Sequence, residues 1–356
     1  MKICYLADAN SSHTRKWCDF FSSKGYEIHV ISLNDGEIKG VKVHSLGIDN
    51  SKVAYGGIFS KLNYVKRIFK IRSLIKEIKP NILHAHYASS YGLLGSLCKF
   101  HPFILSVWGS DIYSFPMESG LKRKIIEHNL KCADYLMSTS QDMARETSKY
   151  TNKDIMITPF GVDTSLFRPL DVKKDNKIVI GAIKTLESHY GIDYLVKAFA
   201  ILCNKHDNIL LKIGGKGSQL DNLKALVKDL NIENKVEFLG FLSQDEIVKQ
   251  FNVFDIAVVP SLHESFGVAS IEAQATGTPV VVTNAGGLPE TVEGDITGFI
   301  VNKGDENELS IAIDKLIVDE DLRIKMGESA RSFIEKNYRV DENFKKVDEL
   351  YRKIAR

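Results

Sequence analysis

The 356-residue sequence lacks long hydrophobic runs. Its opening stretch, Ile3-Cys4-Tyr5-Leu6-Ala7, is broken at once by Asp8, which offers neither a secretory apolar core nor anything near the ~20 apolar residues of a membrane span, so a cytoplasmic location is expected. Cysteine is scarce and unpaired in pattern. The five residues Cys4, Cys18, Cys98, Cys132 and Cys203 are scattered without a Cys-x-x-Cys pair, which argues against a disulfide framework or a zinc site and for reduced, mostly buried thiols. There is no short internal repeat and no low-complexity tract. Net charge is also small, +2, but it is unevenly spread: residues 1–168 hold 23 Lys+Arg against 15 Asp+Glu, and the remainder 24 against 30. The first part therefore carries +8 and the second −6, an asymmetry that points to an anionic surface or substrate for one of them.

What is present is an average globular composition, 44% apolar and 26% charged, in a chain long enough for two domains of about 100 to 200 residues. Short apolar runs alternate with amphipathic stretches almost throughout, the pattern of βα units around parallel sheets. Strands are expected near 2–7, 26–31, 41–46, 81–86, 103–107, 135–139 and 155–157, then near 178–183, 209–214, 236–239, 256–259, 279–283 and 298–301. Helices fall between them, and Ser243 with Glu246 forms a capping box before one. The proline- and glycine-bearing, polar stretch Thr158 to Asn176 interrupts the series as a linker would. The expected division is 1–168, 169–338, and a helix at 339–356 that returns to pack on the first domain. In doubly wound domains ligands sit at the carboxyl ends of the strands, so chemistry is sought there.

The segment Pro260-Ser-Leu-His-Glu264-Ser-Phe-Gly267-Val-Ala-Ser-Ile-Glu272 leaves a strand, turns at Phe266-Gly267 and opens a helix. Glu272 projects from the second turn, while Glu264 precedes the helix. The amides of Gly267, Val268 and Ala269, with the positive end of the helix dipole, make a phosphate site. This constellation resembles the family 4 glycosyltransferases, whose signature is two glutamates separated by seven residues with Phe-Gly between them. Thr283-Asn-Ala-Gly-Gly-Leu-Pro-Glu290, Pro159-Phe-Gly-Val-Asp163 and Gly191-Ile-Asp-Tyr-Leu195 are similar to the same family, so the resemblance spans essentially the whole chain.

The resemblance implies a GT-B fold: two Rossmann-like doubly wound domains with an interdomain cleft, the sugar nucleotide mainly on the second and the acceptor mainly on the first. It assigns Glu272 to the ribose hydroxyls, and Glu264 to the donor sugar together with the backbone of Phe266 and Gly267. In the family an Arg and a Lys six residues apart meet the charge that grows on the leaving diphosphate. Here those places hold Lys184 and Tyr190. Lys184 can replace the Arg as a point charge, whereas Tyr190 cannot supply a cation. Either another group completes the site, Lys216 being the first candidate and His189 a weaker one, or catalysis relies on Lys184, the Tyr190 hydroxyl and the helix dipole. No Asp-x-Asp triplet stands beside these residues, and neutralisation is expected to be protein-borne, without a metal ion or other cofactor.

In the first half, Asn10, Ser11 and Ser12 stand where related enzymes carry a glycine-containing loop against the diphosphate, with Arg15 adding a cation; Ser11 or Ser12 also suits a helix N-cap. His86 and Asp111 end two further strands, as candidates for donor-sugar or acceptor hydroxyls, and Trp108 occupies the place of a family histidine. Lys61 to Lys76 reads as a basic amphipathic helix with Leu62, Val65, Phe69 and Ile75 among its apolar positions; it suits an anionic, lipid-bearing surface, so peripheral contact with the inner face of the cell membrane is an expectation. Nucleic-acid binding is disfavoured, because basic residues are not interleaved with an aromatic platform. The expected function is a retaining, metal-independent transfer of a hexose or N-acetylhexosamine from a nucleoside-diphosphate sugar, UDP-linked, to a glycan or lipid-linked acceptor in cell-surface polysaccharide synthesis. The competing readings are a sugar-nucleotide epimerase of the same architecture and a non-catalytic sugar-nucleotide-binding subunit.

Overall fold

The computed structural model describes residues 1–47, 58–172 and 176–355, with the side chains of 58–66 left out. The side chains of Leu62 and Val65 of the basic helix, and residues Lys173 to Asp175 of the linker, therefore lie outside the described set. The chain forms two compact units: Met1–Pro159 with Asp341–Arg356, and Phe160–Val340.

Unit 1 is built on the strands β1 (Lys2–Leu6), β2 (Glu27–Ser32), β3 (Lys42–Ser45), β4 (Ile82–His86), β5 (Phe103–Val107), β6 (Tyr135–Ser138) and β7 (Ile155–Ile157). They form one parallel sheet in the order β3-β2-β1-β4-β5-β6-β7. Its helices are α1 (Ser12–Ser23), α2 (Ile58–Ile78), α3 (Tyr91–Cys98), α4 (Ser110–Tyr113), α5 (Gly120–Cys132) and α6 (Gln141–Thr147). Strands β4 and β5 are buried at every residue, as expected where helices cover both faces of a parallel sheet.

Unit 2 repeats the plan with β8 (Ile178–Ile183), β9 (Ile209–Gly214), β10 (Val236–Gly240), β11 (Ile256–Val259), β12 (Val280–Thr283) and β13 (Gly298–Val301). All pair in parallel in the order β10-β9-β8-β11-β12-β13. Around them run α7 (Ile192–Cys203), α8 (Leu220–Asp229), α9 (Gln244–Val253), α10 (Val268–Ala275), α11 (Glu306–Val318) and α12 (Glu320–Asn337). The core joins Leu195, Val196 and Phe199 of α7 to Leu211 and Ile213 of β9, and each such side chain contributes roughly 1.5–3 kcal/mol on burial. The capping box before α9 is formed: the Ser243 amide donates to the Glu246 carboxylate at 2.7 Å, and the Glu246 amide to Ser243 Oγ at 3.4 Å.

The last helix, α13 (Val340–Ile354), belongs to unit 1 from Asp341 onward. Its buried face sets Phe344 4.8 Å from the Trp17 ring and Tyr351 4.9 Å from Phe21, and Tyr26 donates to Asp348 at 2.6 Å.

The units divide at Pro159/Phe160 and Val340/Asp341 instead of at 168 and 338. The cause is local bonding. Val162 donates to the Tyr338 carbonyl at 2.8 Å, and the Arg331 guanidinium donates to the carbonyls of Phe167 at 2.7 Å and Thr164 at 3.1 Å. These contacts tie 160–168 to unit 2, although its proline and glycine content reads as linker. Among the described residues five short turns of helix, at Ser110–Tyr113, Phe115–Met117, Ser188–Tyr190, Glu233–Lys235 and Leu288–Thr291, are too brief to leave a hydrophobic period.

Candidate functional site

In unit 2 the sheet order reverses between β8 and β11, and the residues that follow these two strands meet. Lys184 Nζ lies 2.5 Å from Glu264 Oε2, in a pair whose side chains are only 19% and 8% exposed. Ser261 Oγ is 3.4 Å from the same carboxylate oxygen. The Tyr190 ring lies 4.2 Å from the ammonium, so the residue at the place of the second family cation holds the first by its aromatic face. An ammonium has three N–H donors, so Lys184 can bridge Glu264 and a phosphate oxygen at once.

The loop carrying Lys184 is zipped to the loop after β9. Lys184 N–H donates to the Gly214 carbonyl at 2.9 Å, and Leu186 N–H to the Lys216 carbonyl at 3.0 Å. Gly215 has φ +138°, and a Cβ there would fall 1.9 Å from the Lys184 carbonyl oxygen; at Gly217 one would fall 2.3 Å from that of Leu186. Lys216 contributes its backbone to this zip, while its side chain is exposed and its ammonium stands 5.6 Å over the Phe241 ring.

Gly267, at φ +111°, caps α10 without a side chain, and a Cβ would lie 2.5 Å from Leu288 Cδ1. The chain thus enters the helix close against the 288–291 turn; Ser270 and Ile271 N–H donate to the Gly267 carbonyl at 3.1 and 3.3 Å, whereas the amides of Val268 and Ala269, at the first two helical positions, have no helical carbonyl one turn back to take. Gly287 N–H donates to the Glu264 carbonyl at 3.1 Å, which gives the glycine pair 286–287 a defined place beside the signature. Phe266 is buried, Val268 is half-buried at the first helical position, and Glu272 is half-buried on the second turn.

Unit 1 is furnished differently. Ser11 caps α1, its hydroxyl accepting from Thr14 N–H at 3.4 Å, and Ser12 is exposed. His86 does not present a ring at the strand end: it is 1% exposed, among Trp108 at 4.5 Å, His84 at 4.6 Å, Tyr5 at 5.0 Å and Trp17 at 5.1 Å. Neither ring nitrogen has a hydrogen-bond partner, and burial, with His84 and His13 nearby, holds its pKa well below the usual imidazole value. Asp111 is fully buried, and its carboxylate accepts the amides of Ala88 at 2.6 Å, Gly109 at 2.7 Å and Trp108 at 3.2 Å. Burial raises its pKa and the backbone bonds oppose the rise. In this structure Asp111 organises the loop instead of offering a carboxylate to a ligand.

Two family models match the chain: one described as glycosyl transferase 4-like over residues 2–140, and one described as glycosyl transferases group 1 over residues 164–333. A protein named D-inositol 3-phosphate glycosyltransferase from Corynebacterium aurimucosum is 31% identical over 345 residues, 85% of this chain and 76% of that one. The chain belongs to the family 4 glycosyltransferases. The like-named protein of Corynebacterium jeikeium is 34% identical over 232 residues, and that match spans 59% of this chain and about half, 55%, of the relative. N-acetyl-alpha-D-glucosaminyl L-malate synthase of Bacillus anthracis is 28% identical over 94% of this chain and 91% of its own. Among solved structures, Anabaena HepE in complex with UDP superposes with a TM-score of 0.82 at 20% identity, covering 99% of this chain and 100% of that one. The two doubly wound units are accordingly those of a GT-B fold.

For this family 4 member, the structure groups Lys184, Tyr190, Glu264 and the Phe266-Gly267-Val268 turn in unit 2, with Glu272 further along the same helix. It leaves the Lys216 ammonium over Phe241, turns His86 inward, and occupies Asp111 and Ser11 with backbone amides. An Asp-x-Asp triplet does occur elsewhere, at Asp319-Glu320-Asp321, and it opens α12, with Asp319 accepting from Leu322 N–H at 2.9 Å. Sequence reasoning missed the buried network behind α10, in which Gln274 Nε2 donates to the Thr291 carbonyl at 2.7 Å and Thr291 donates to Ser270 Oγ at 2.9 Å. Its only signal was a serine and a glutamine four residues apart on the face of α10 opposite Glu272.

Proposed function

We propose that this chain is a retaining glycosyltransferase that moves a hexose or N-acetylhexosamine from a nucleoside-diphosphate sugar, UDP-linked, to a hydroxyl of a glycan or lipid-linked acceptor in cell-surface polysaccharide synthesis. The observation that carries the reading is the half-buried Lys184–Glu264 pair at the switch point of unit 2. Next to it in sequence comes the Gly267-capped start of α10, with Glu272 on its second turn. A cation and a helix N-terminus suit a diphosphate, and carboxylates suit sugar and ribose hydroxyls.

On this reading the bond from the sugar C1 to the diphosphate oxygen breaks while the bond to the acceptor oxygen forms on the same face. The acceptor proton passes to the departing phosphate, and no enzyme nucleophile is needed. Lys184 and the α10 amides stabilise the charge that grows on the leaving group, a role that gains strength in a half-buried site. Relatives and neighbours support the nucleotide choice only by analogy: the HepE structure holds UDP.

Among the described residues no helix is long and apolar enough to cross a membrane. Phe69, 72% exposed on α2 beside Arg67 and Lys70, supports peripheral contact with an anionic cytoplasmic membrane face.

A thermal-shift panel of UDP-, ADP- and GDP-sugars tests the donor assignment, since a ligand at 100 times its Kd stabilises by about 2.7 kcal/mol. Turnover of the stabilising donor, with the anomeric configuration of the product read by NMR and excess EDTA in a parallel assay, tests the rest. An inverted product refutes retention. Activity lost to EDTA and restored by Mg²⁺ or Mn²⁺ refutes metal independence. Binding without turnover on any acceptor favours the sugar-nucleotide-binding subunit, a reading that Tyr190 in place of a cation keeps alive.

A further inference from the structure

Both segments by which the chain enters and leaves unit 2 are paired with each other: Val162 N–H donates to the Tyr338 carbonyl at 2.8 Å, and Val340 N–H to the Val162 carbonyl at 3.0 Å. Over this bridge sits Phe266, 1% exposed, with its ring centroid 6.2 Å from that of Phe160 and 5.7 Å from that of Tyr338. Tyr338 makes a second contact. Its hydroxyl donates to the carbonyl of Glu290, in the 288–291 turn that packs Leu288 and Thr291 beside Gly267. Burial, followed by the nearby Glu290, pushes the phenol up to about 12, so it remains a donor at neutral pH. One side chain from the bridge therefore touches both walls of the turn that opens α10: the Phe266 ring on one side, the Glu290 carbonyl on the other.

We infer that Tyr338 is a positioning residue for the donor diphosphate, locking the Phe266-Gly267 turn to the crossover bridge so that donor occupancy and bridge stability rise and fall together. The inference rests on the donor-site reading above. Its logic is preorganisation: amides that must face a phosphate contribute most when the turn bearing them is fixed beforehand. Linkage makes the effect mutual, because a ligand that favours the ordered turn also favours the ordered bridge.

The test compares wild type, Tyr338→Phe and Tyr338→Leu by calorimetry with UDP, or with ADP or GDP where wild type prefers it. Amide hydrogen exchange at Val162 and Val340 is followed with and without the nucleotide. Tyr338→Phe keeps the ring on Phe266 and loses the bond to Glu290, so its Kd should rise about threefold; Tyr338→Leu loses both contacts, and its Kd should rise about tenfold. Nucleotide should slow exchange at both amides in wild type and leave it nearly unchanged in Tyr338→Leu. A merely structural tyrosine would lower the melting temperature and leave these readings in the folded fraction untouched. Wild-type affinity and protection in folded Tyr338→Leu overturn the inference, and where that variant does not fold, wild-type values in Tyr338→Phe do so. If wild type binds none of the three nucleotides, the donor-site reading falls and this inference with it.

Discussion

The two units share one plan, a parallel sheet with a reversal of strand order near its middle, yet they furnish that reversal in opposite ways. In unit 2 the strand ends carry an ion pair, an aromatic ring held on the cation, and a glycine-capped helix. In unit 1 the strands at the reversal and the loops after them carry packed aromatic and imidazole rings with their polar atoms turned inward: His84, in the middle of β4, bonds Tyr351 at 2.5 Å and Ser106 at 2.7 Å, and Asp111 is spent on backbone amides. The same topology thus prepares one unit for a charged guest and braces the other from within. Electrostatic readiness is a property of the loops, not of the fold.

The sharpest way to break this contrast is Lys184→Ala. If the cation meets leaving-group charge, kcat should fall about 10²- to 10³-fold with a much smaller change in KM for the donor. A near-normal kcat would remove the reason for calling unit 2 the electrostatic half. Glu272→Ala comes next: the loss of charge-assisted bonds to ribose should weaken UDP binding about 10- to 100-fold in calorimetry with little change in melting temperature. Unaltered affinity in the folded variant would take the ribose from Glu272.

A smaller effect probes unit 1. Burial holds His84 at about 3 against an ordinary 6.5. The folded unit therefore refuses a proton that the unfolded chain binds below 6.5, so the contribution of this group to stability is complete above that pH and is lost progressively as pH falls toward 3. Melting temperatures measured from pH 7 to 4.5 should fall less steeply in His84→Gln than in wild type, although His86 still titrates, and UDP affinity at pH 7 should not move. An equally steep fall would show that His84 does not titrate on unfolding. The smallest effect is expected from Lys216→Ala, whose ammonium stands in solvent over Phe241: kcat should change by less than about threefold. A loss comparable to that of Lys184→Ala would mean that Lys216 swings into the site when donor binds.

Much of this was legible in the sequence, for identifiable reasons. Strands such as 178–183 and 256–259 run to the residues at which the apolar stretches run, because a strand buried on both faces needs an unbroken apolar segment. The signature around Glu264 and Glu272 was legible because its parts lie within nine residues of one another. Illegible were the contacts that join distant residues. Tyr338 reaches Phe266 across 72 positions, and Arg331 reaches Phe167 across 164, so no local pattern could place 160–168 with unit 2. The inward turn of His86 was hidden for another reason: a histidine ending a strand reads alike whether its loop opens outward or Trp108 covers it.

The glycine zip between the loops after β8 and β9 has a practical meaning for anyone who would alter the nucleotide range of this chain. Side chains at 215 and 217 would collide with the backbone that carries Lys184, so substitution there would displace the cation before it reshaped any base pocket. Position 216 is the exception, since it lends its carbonyl to the zip and its side chain to solvent. A library for new donors would therefore leave the glycines fixed and vary 216 alone on that loop, treating it as an adjustable rim around an immovable charge.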